Sequence, residues 1–99
     1  MTGIELIFKE REEQLTKHNR SVENDVIENG DQELIMGVKA LLNDDGLLFP
    51  NKWDITICNK MINKTYVEKL VIAGALIAAE IDRIQYIKAN NPCQDVQIN

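Results

Sequence analysis

Apolar residues recur at helical spacing in three stretches of the chain. Over 4–18, Ile4, Ile7, Phe8, Arg11 and Leu15 follow the 3.6-residue period. Lys9, Glu10, Glu12, Glu13 and Lys17 form the outer surface of that helix. Arg11 falls on the apolar side, where a buried guanidinium needs an anionic partner. Over 32–43, Leu34, Ile35, Val38, Leu41 and Leu42 make a second stripe, with Asp31 placed to cap it. Gly37 weakens this helix by roughly 1 kcal/mol relative to alanine, which points to a close contact there. The third helix, 65–90, opens on a Thr65-x-x-Glu68 capping box and stops before Pro92. Between lies the polar stretch 19–31, with Asn29-Gly30 as a turn signal.

The connection 44–64 carries Leu47, Leu48, Phe49, Trp53, Ile55 and Ile57, so it reads as a packed loop rather than a linker. Residues 53–57 alternate like a short strand, or form an irregular segment pinned by Trp53. The tail 92–99 reads as frayed. The fold expectation is therefore all-α: one domain of three helices, the last one long, with a packed Trp-containing loop. Helix 65–90 carries the small residues Ala73, Gly74, Ala75, Ala78 and Ala79, which permit tight crossing by another helix. At about 25 residues, or ~38 Å, it outspans the other two helices. Its unmatched length, with Ile81, Ile84 and Ile87, predicts a homo-oligomer through this helix.

The 99 residues bear 16 acidic and 11 basic side chains, for a net charge of −5. That balance argues against sequence-independent binding to duplex nucleic acid, which needs a basic footprint. No apolar run approaches a membrane span, and the N-terminus has no signal-peptide pattern, so no membrane partner and a cytoplasmic location are expected. Cys58 and Cys93 then read as free thiols.

Several spaced residues form a further pattern: Glu10, Arg11 and Gln14; Asp25; Glu33 and Leu34; Trp53 and Lys60. A closing series runs through Leu70, Ala73, Gly74, Ala75, Leu76, Ile77, Ala79, Glu80, Ile81, Asp82 and Arg83. Over nearly its whole length the chain resembles a group of small phage- and prophage-encoded helical proteins. Some of these are in turn similar to MazG-like nucleotide pyrophosphohydrolases. The first resemblance implies a phage protein acting in an infected or lysogenic bacterial host. The second, more remote, implies an all-α homo-oligomer with Mg²⁺-dependent cleavage of nucleoside triphosphates.

Mg²⁺ chemistry of that kind needs hard oxygen ligands one helical turn apart. Glu10-x-x-Glu13 has this spacing, and Glu80 is a further carboxylate in the closing series. Glu28-x-x-Asp31 has it too, but across a turn signal. In so acidic a chain the alternative is a solvated helix face and a capped turn. Arg11 has two readings. It pairs with Glu80 or Asp82 to lock the first and last helices, or it joins Arg83 in holding a phosphate. Trp53 and Tyr66, with Lys60, Lys64 and Lys69, are candidates to stack a base and hold its phosphate beside a helix N-terminus. The alternative is that Trp53 plugs the end of a small core.

His18 is the single histidine and reads as a helix C-terminal or surface residue. No Ser/His/Asp or Cys/His order, zinc cluster or phosphate-cradling glycine loop is visible. The expectation is a non-catalytic, cofactor-free binding protein acting on a host component, either a nucleotide signal or a host protein. The alternative is the Mg²⁺-dependent hydrolase.

Overall fold

The computed structural model describes residues 1–17 and 21–90. These form five α-helices: α1 (Gly3–Thr16), α2 (Val22–Glu28), α3 (Glu33–Leu42), α4 (Ile55–Ile62) and α5 (Tyr66–Asn90). A single 3₁₀ turn, Gly46–Leu48, follows α3. The class is all-α as expected, but the helices number five among the described residues, not three. His18, Cys93 and the tail 92–99 lie outside the described residues.

The two additional helices have local causes. At α2, the Ser21 hydroxyl accepts a hydrogen bond from the Asn24 N–H at 3.1 Å, and this cap starts a seven-residue helix within the polar stretch. At α4, Asp54 Oδ1 accepts from the Thr56 and Ile57 N–H groups at 2.8 and 3.2 Å. Ile55, Thr56 and Ile57 are β-branched and read as strand in isolation. A strong cap and the absence of a pairing strand among the described residues leave them helical. The segment 44–64 is therefore a 3₁₀ turn and a helix rather than a loop.

At α5 the expected capping box forms, with Glu68 N–H donating to Thr65 Oγ1 at 3.2 Å and Thr65 N–H to Glu68 Oε1 at 3.1 Å. A second box, Thr2 with Glu5, starts α1. The cap of α3 differs from expectation. Gln32, in the left-handed region at φ 68°, precedes the helix, and the Glu33 carboxylate accepts from the Asp31 N–H at 2.7 Å.

α5 is the central rod, and α1, α2 and α3 all pack on it. The apolar core lies between α3 and α5, from Leu34, Val38 and Leu41 to Ile72, Leu76 and Ala79. Phe49 and Cys58 close its end, with Trp53 packed against them. Full burial of a leucine of this kind stabilises by about 1.5–3 kcal/mol. The Trp53 ring lies on Gly37, explaining the glycine within α3.

The α1 stripe is oriented contrary to the expectation from its periodicity. Ile4 is 82 % exposed, Phe8 63 % and Leu15 40 %, whereas Arg11 and Gln14 are buried. Ile7, Arg11 and Gln14 share one face, and that face meets α5, where Ile7 packs on Gly74. Among the described residues, no helix is long and apolar enough to cross a membrane.

Candidate functional site

The buried polar groups of this small domain are Arg11, Gln14, Asp25, Asn29, Glu33, Lys69, Glu80 and Arg83. Burying so many costs free energy unless each finds a partner. Lys69, Glu80 and Arg83 lie on α5 itself, and the others on α1, on α3, or on α2 and its C-cap.

One chain of contacts runs from α2 to the Trp53 segment. Asp25 and Asn29 are one turn apart on the inner face of α2. The Asn29 Nδ2–H donates to Asp25 Oδ1 at 2.9 Å, and the Trp53 indole Nε1–H donates to Asn29 Oδ1 at 3.0 Å. Trp53 thus serves as a polar link as well as an apolar plug.

A second set centres on Arg83. Its Nε–H donates to Glu80 Oε1 at 2.6 Å and its Nη2–H to Glu80 Oε2 at 3.0 Å, a two-pronged pair within one helix. The hydrogen bonds from Glu80 hold the guanidinium pKa above its ordinary range, against burial and with help from the charges of Glu80, Glu33 and Asp25. Arg83 is thus paired with Glu80 and lies within the field of carboxylates on α2 and α3. Burial raises the Glu33 pKa, but the Asp31 N–H, its own N–H and Lys52 outweigh that and leave it below the ordinary value. Lys52 Nζ stands 3.5 Å from Glu33 Oε2.

The third set joins α1 to α5. The Arg11 Nη2–H donates to Asp82 Oδ2 at 3.2 Å. Asp82 is thus the partner that Arg11 takes, while Glu80 serves Arg83. The two acids, two positions apart, point to different sides of α5. The Asp82 side chain is 43 % exposed, so this contact lies at the edge of the seam. Arg11 Nε and Nη1 are buried and have no hydrogen-bond partner, and neither has Gln14 Oε1, one turn further along α1. Orphaned buried donors on a guanidinium are uncommon, because each costs more than a hydrogen bond returns.

The remaining candidates are dispersed. Tyr66 is 70 % exposed at the start of α5, and the aromatic ring pair among the described residues is Phe49 with Trp53, centroids 6.0 Å apart. Trp53 and Tyr66 therefore form no stacked pair. Lys60 and Lys64 are exposed. Lys64 shares a shallow cleft of about 170 Å³ with Leu6, Glu10, Val67, Glu68, Val71 and Ile72. Lys69 is buried and structural: its ammonium donates to Asp44 Oδ1 at 2.6 Å and to the Ile62 carbonyl at 3.3 Å, tying the end of α3 to the α4–α5 junction.

The carboxylates of the hydrolase reading are also separated. Glu10 lines the cleft, Glu13 stands 3.8 Å from Lys17, and Glu80 holds Arg83. Glu28 and Asp31 bracket the end of α2 and the turn after it. No group of three or more His, Cys, Asp or Glu among the described residues is placed to hold a metal ion. Cys58 is a buried free thiol whose pKa is raised by burial and by the charge of Asp54, which makes it a poor nucleophile.

Gln14, Asp25, Asn29 and Glu33 belong to the buried polar set; Gln14, Asp25 and Glu33 stand in the resemblance pattern but are not among the candidate site residues, and Asn29 figures only in a turn signal. The available signals were the i, i+3 spacing of Arg11 and Gln14 and the i, i+4 spacing of Asp25 and Asn29. The latter has meaning only once α2 is known to be a helix. In comparisons with protein families, curated proteins and solved structures, the chain has no significant match.

Proposed function

We propose that this chain is a non-catalytic binding protein for a nucleotide-type signal, of the phage-encoded kind that its sequence resembles. Its setting would be the cytoplasm of a bacterial host. The observation that carries the reading is Arg11. This guanidinium is buried and charge-balanced by one edge carboxylate, yet two of its nitrogens have no acceptor, and the Gln14 carbonyl one turn further along α1 has no donor. A nucleotide supplies both chemistries: phosphate and ring-nitrogen acceptors for arginine, and exocyclic amine or ribose hydroxyl donors for the amide. Asp82, half in water, is the group that has to move aside for a ligand to reach the seam. The purely structural alternative makes Arg11–Asp82 a lock between α1 and α5 and gives its remaining N–H groups no role.

The test is a thermal-shift screen of the full chain against nucleoside triphosphates and cyclic and ADP-ribose-type nucleotides, with and without Mg²⁺. A ligand at 100 times its Kd adds about 2.7 kcal/mol of stability. The expected result is a Mg²⁺-independent shift that Arg11→Lys abolishes and Asp82→Asn retains or strengthens. A Mg²⁺-dependent shift with a triphosphate, followed by pyrophosphate release that Glu10→Gln or Glu80→Gln removes, would favour the hydrolase. No shift with any compound would overturn the nucleotide reading in favour of a host protein.

A further inference from the structure

The two buried guanidiniums, Arg11 and Arg83, are filled differently. An arginine presents its Nε–H and one Nη2–H side by side along one edge, a fork that matches the two oxygens of an oxyanion. In Arg83 that edge is full: Nε–H donates to Glu80 Oε1 at 2.6 Å and Nη2–H to Glu80 Oε2 at 3.0 Å. In Arg11 the same edge is half used. Its Nη2–H donates to Asp82 Oδ2 at 3.2 Å, while the buried Nε has no partner. Asp82 thus holds one prong of the fork, from a side chain 43 % exposed against 9 % for Arg11. Nη1 is likewise buried without an acceptor, and Gln14 Oε1, one turn along α1, lacks a donor.

The charges around this edge limit what fills it. The lysines of α1 and its C-cap, Lys9 and Lys17, are exposed, and Lys17 stands 3.8 Å from Glu13. Arg83, next to Asp82 on α5, is occupied by Glu80. An anion that displaces Asp82 therefore meets one positive charge, with the Asp82 carboxylate left nearby. A single negative charge spread over two oxygens is neutralised by the fork. A terminal phosphate monoester carries about −2 at neutral pH, and a triphosphate more. That surplus would face Asp82 at a seam where burial makes unpaired charge costly.

We propose that the Arg11 fork takes a phosphodiester: a nucleotide whose phosphate is esterified on both sides and carries one charge. In the free chain Asp82 stands in for it. The two non-bridging oxygens accept from Nε and Nη2, as the Glu80 oxygens do at Arg83. Nη1 and Gln14 Oε1 are left for an acceptor and a donor on the base or ribose. Asp82, turned into water, is then an internal competitor that disfavours ligands of higher charge most. This inference rests on the nucleotide reading above and narrows it to one class of phosphate.

Isothermal titration calorimetry of the full chain, in EDTA and at fixed ionic strength, tests it. The probes are cyclic mononucleotides and cyclic dinucleotides of adenine and guanine, each against the linear monophosphate and triphosphate of the same base. A diester should bind at least about tenfold more tightly than the linear nucleotides of its base, the scale of one charge-assisted hydrogen bond. Asp82→Asn should tighten the diester and tighten the triphosphate more, closing part of that gap. Arg11→Lys keeps the charge but not the fork, and should cost the diester about tenfold. A linear monophosphate or triphosphate that outbinds the diesters of its base would overturn the inference and leave the nucleotide reading standing. So would an Asp82→Asn chain that loses affinity for the diester, because Asp82 then contacts the ligand instead of competing with it. Binding of no nucleotide would overturn both together. Were Arg11→Lys to lower the thermal midpoint of the free chain, the comparison of phosphates on wild type and Asp82→Asn would decide.

Discussion

The Trp53 ring lies so close to Gly37 that a Cβ at that position would come within 2.7 Å of the indole. Gly74 shows the same relationship with Ile7, at 2.6 Å. The two substitutions nevertheless differ in expected cost. At Gly37 the obstacle is a rigid bicyclic ring, tethered by its N–H to Asn29 and tilted against Phe49. At Gly74 the nearest atom is the terminal Cδ1 of Ile7, which can turn about χ2, with Cγ1 behind it at 2.9 Å. Alanine gains roughly 1 kcal/mol of helix propensity at either site. Overpacking a rigid neighbour typically costs about 1–3 kcal/mol. Gly37→Ala should therefore be net destabilising and red-shift the Trp53 emission as the indole is pushed towards water. Gly74→Ala should lie within about 1 kcal/mol of wild type. Urea unfolding of the two variants checks the order, and a Gly37→Ala chain as stable as wild type would mean that the indole is not held where it is seen.

The hydrogen bond from Trp53 to Asn29 gives the second prediction. Trp53→Phe keeps most of the apolar contact but leaves Asn29 Oδ1 without its indole donor inside the domain. An unmade buried hydrogen bond costs about 1–3 kcal/mol. Asn29 also holds Asp25, so the cost should be shared: Asn29→Ala in a Trp53→Phe background should destabilise less than Asn29→Ala alone. A double-mutant cycle by urea denaturation measures this coupling. Strict additivity would show that Trp53 acts only as an apolar plug.

The sequence carried the all-α class, the position of α5 and its capping box, because long runs with strong caps signal themselves locally. It concealed α2 and α4. Both are short helices, and both depend on a single capping side chain, Ser21 or Asp54, for their start. The rotation of α1 was misleading for a clearer physical reason. Periodicity identifies an apolar stripe but not which side of the helix meets the domain. Here Ile7, Arg11 and Gln14 win the inner face, and Phe8 is left outside. Arg11 was recognisable as out of place on the apolar side, and it does take an acidic partner from the last helix. That Asp82 fills this role while Glu80 turns to Arg83 follows from the helical phase of α5, which only the packing supplies. Asp25 and Asn29 were hidden because a polar, turn-like stretch gives no sign that it packs inward.

Glu33 supplies a pH prediction. Its carboxyl is pushed up by burial but pulled further down by the N–H groups of Asp31 and Glu33 itself and by Lys52, so its folded pKa lies below the ordinary carboxylate value of 4.5. The unfolded chain binds this proton more readily than the folded one. The stabilisation is therefore fully present above the unfolded pKa and is lost as pH falls through the folded pKa. Between about pH 6 and pH 3 the urea midpoint of the wild-type chain should fall. Glu33→Gln keeps an acceptor for the Asp31 N–H but has no charge to titrate. The variant should be less stable than wild type near neutrality, because Lys52 and Arg83 lose a counter-charge. Its midpoint should then decline more gently on acidification, so that the two curves approach one another below pH 4.5. Parallel curves for the two chains would place the acid sensitivity elsewhere and show that Glu33 is not held ionised by its neighbours.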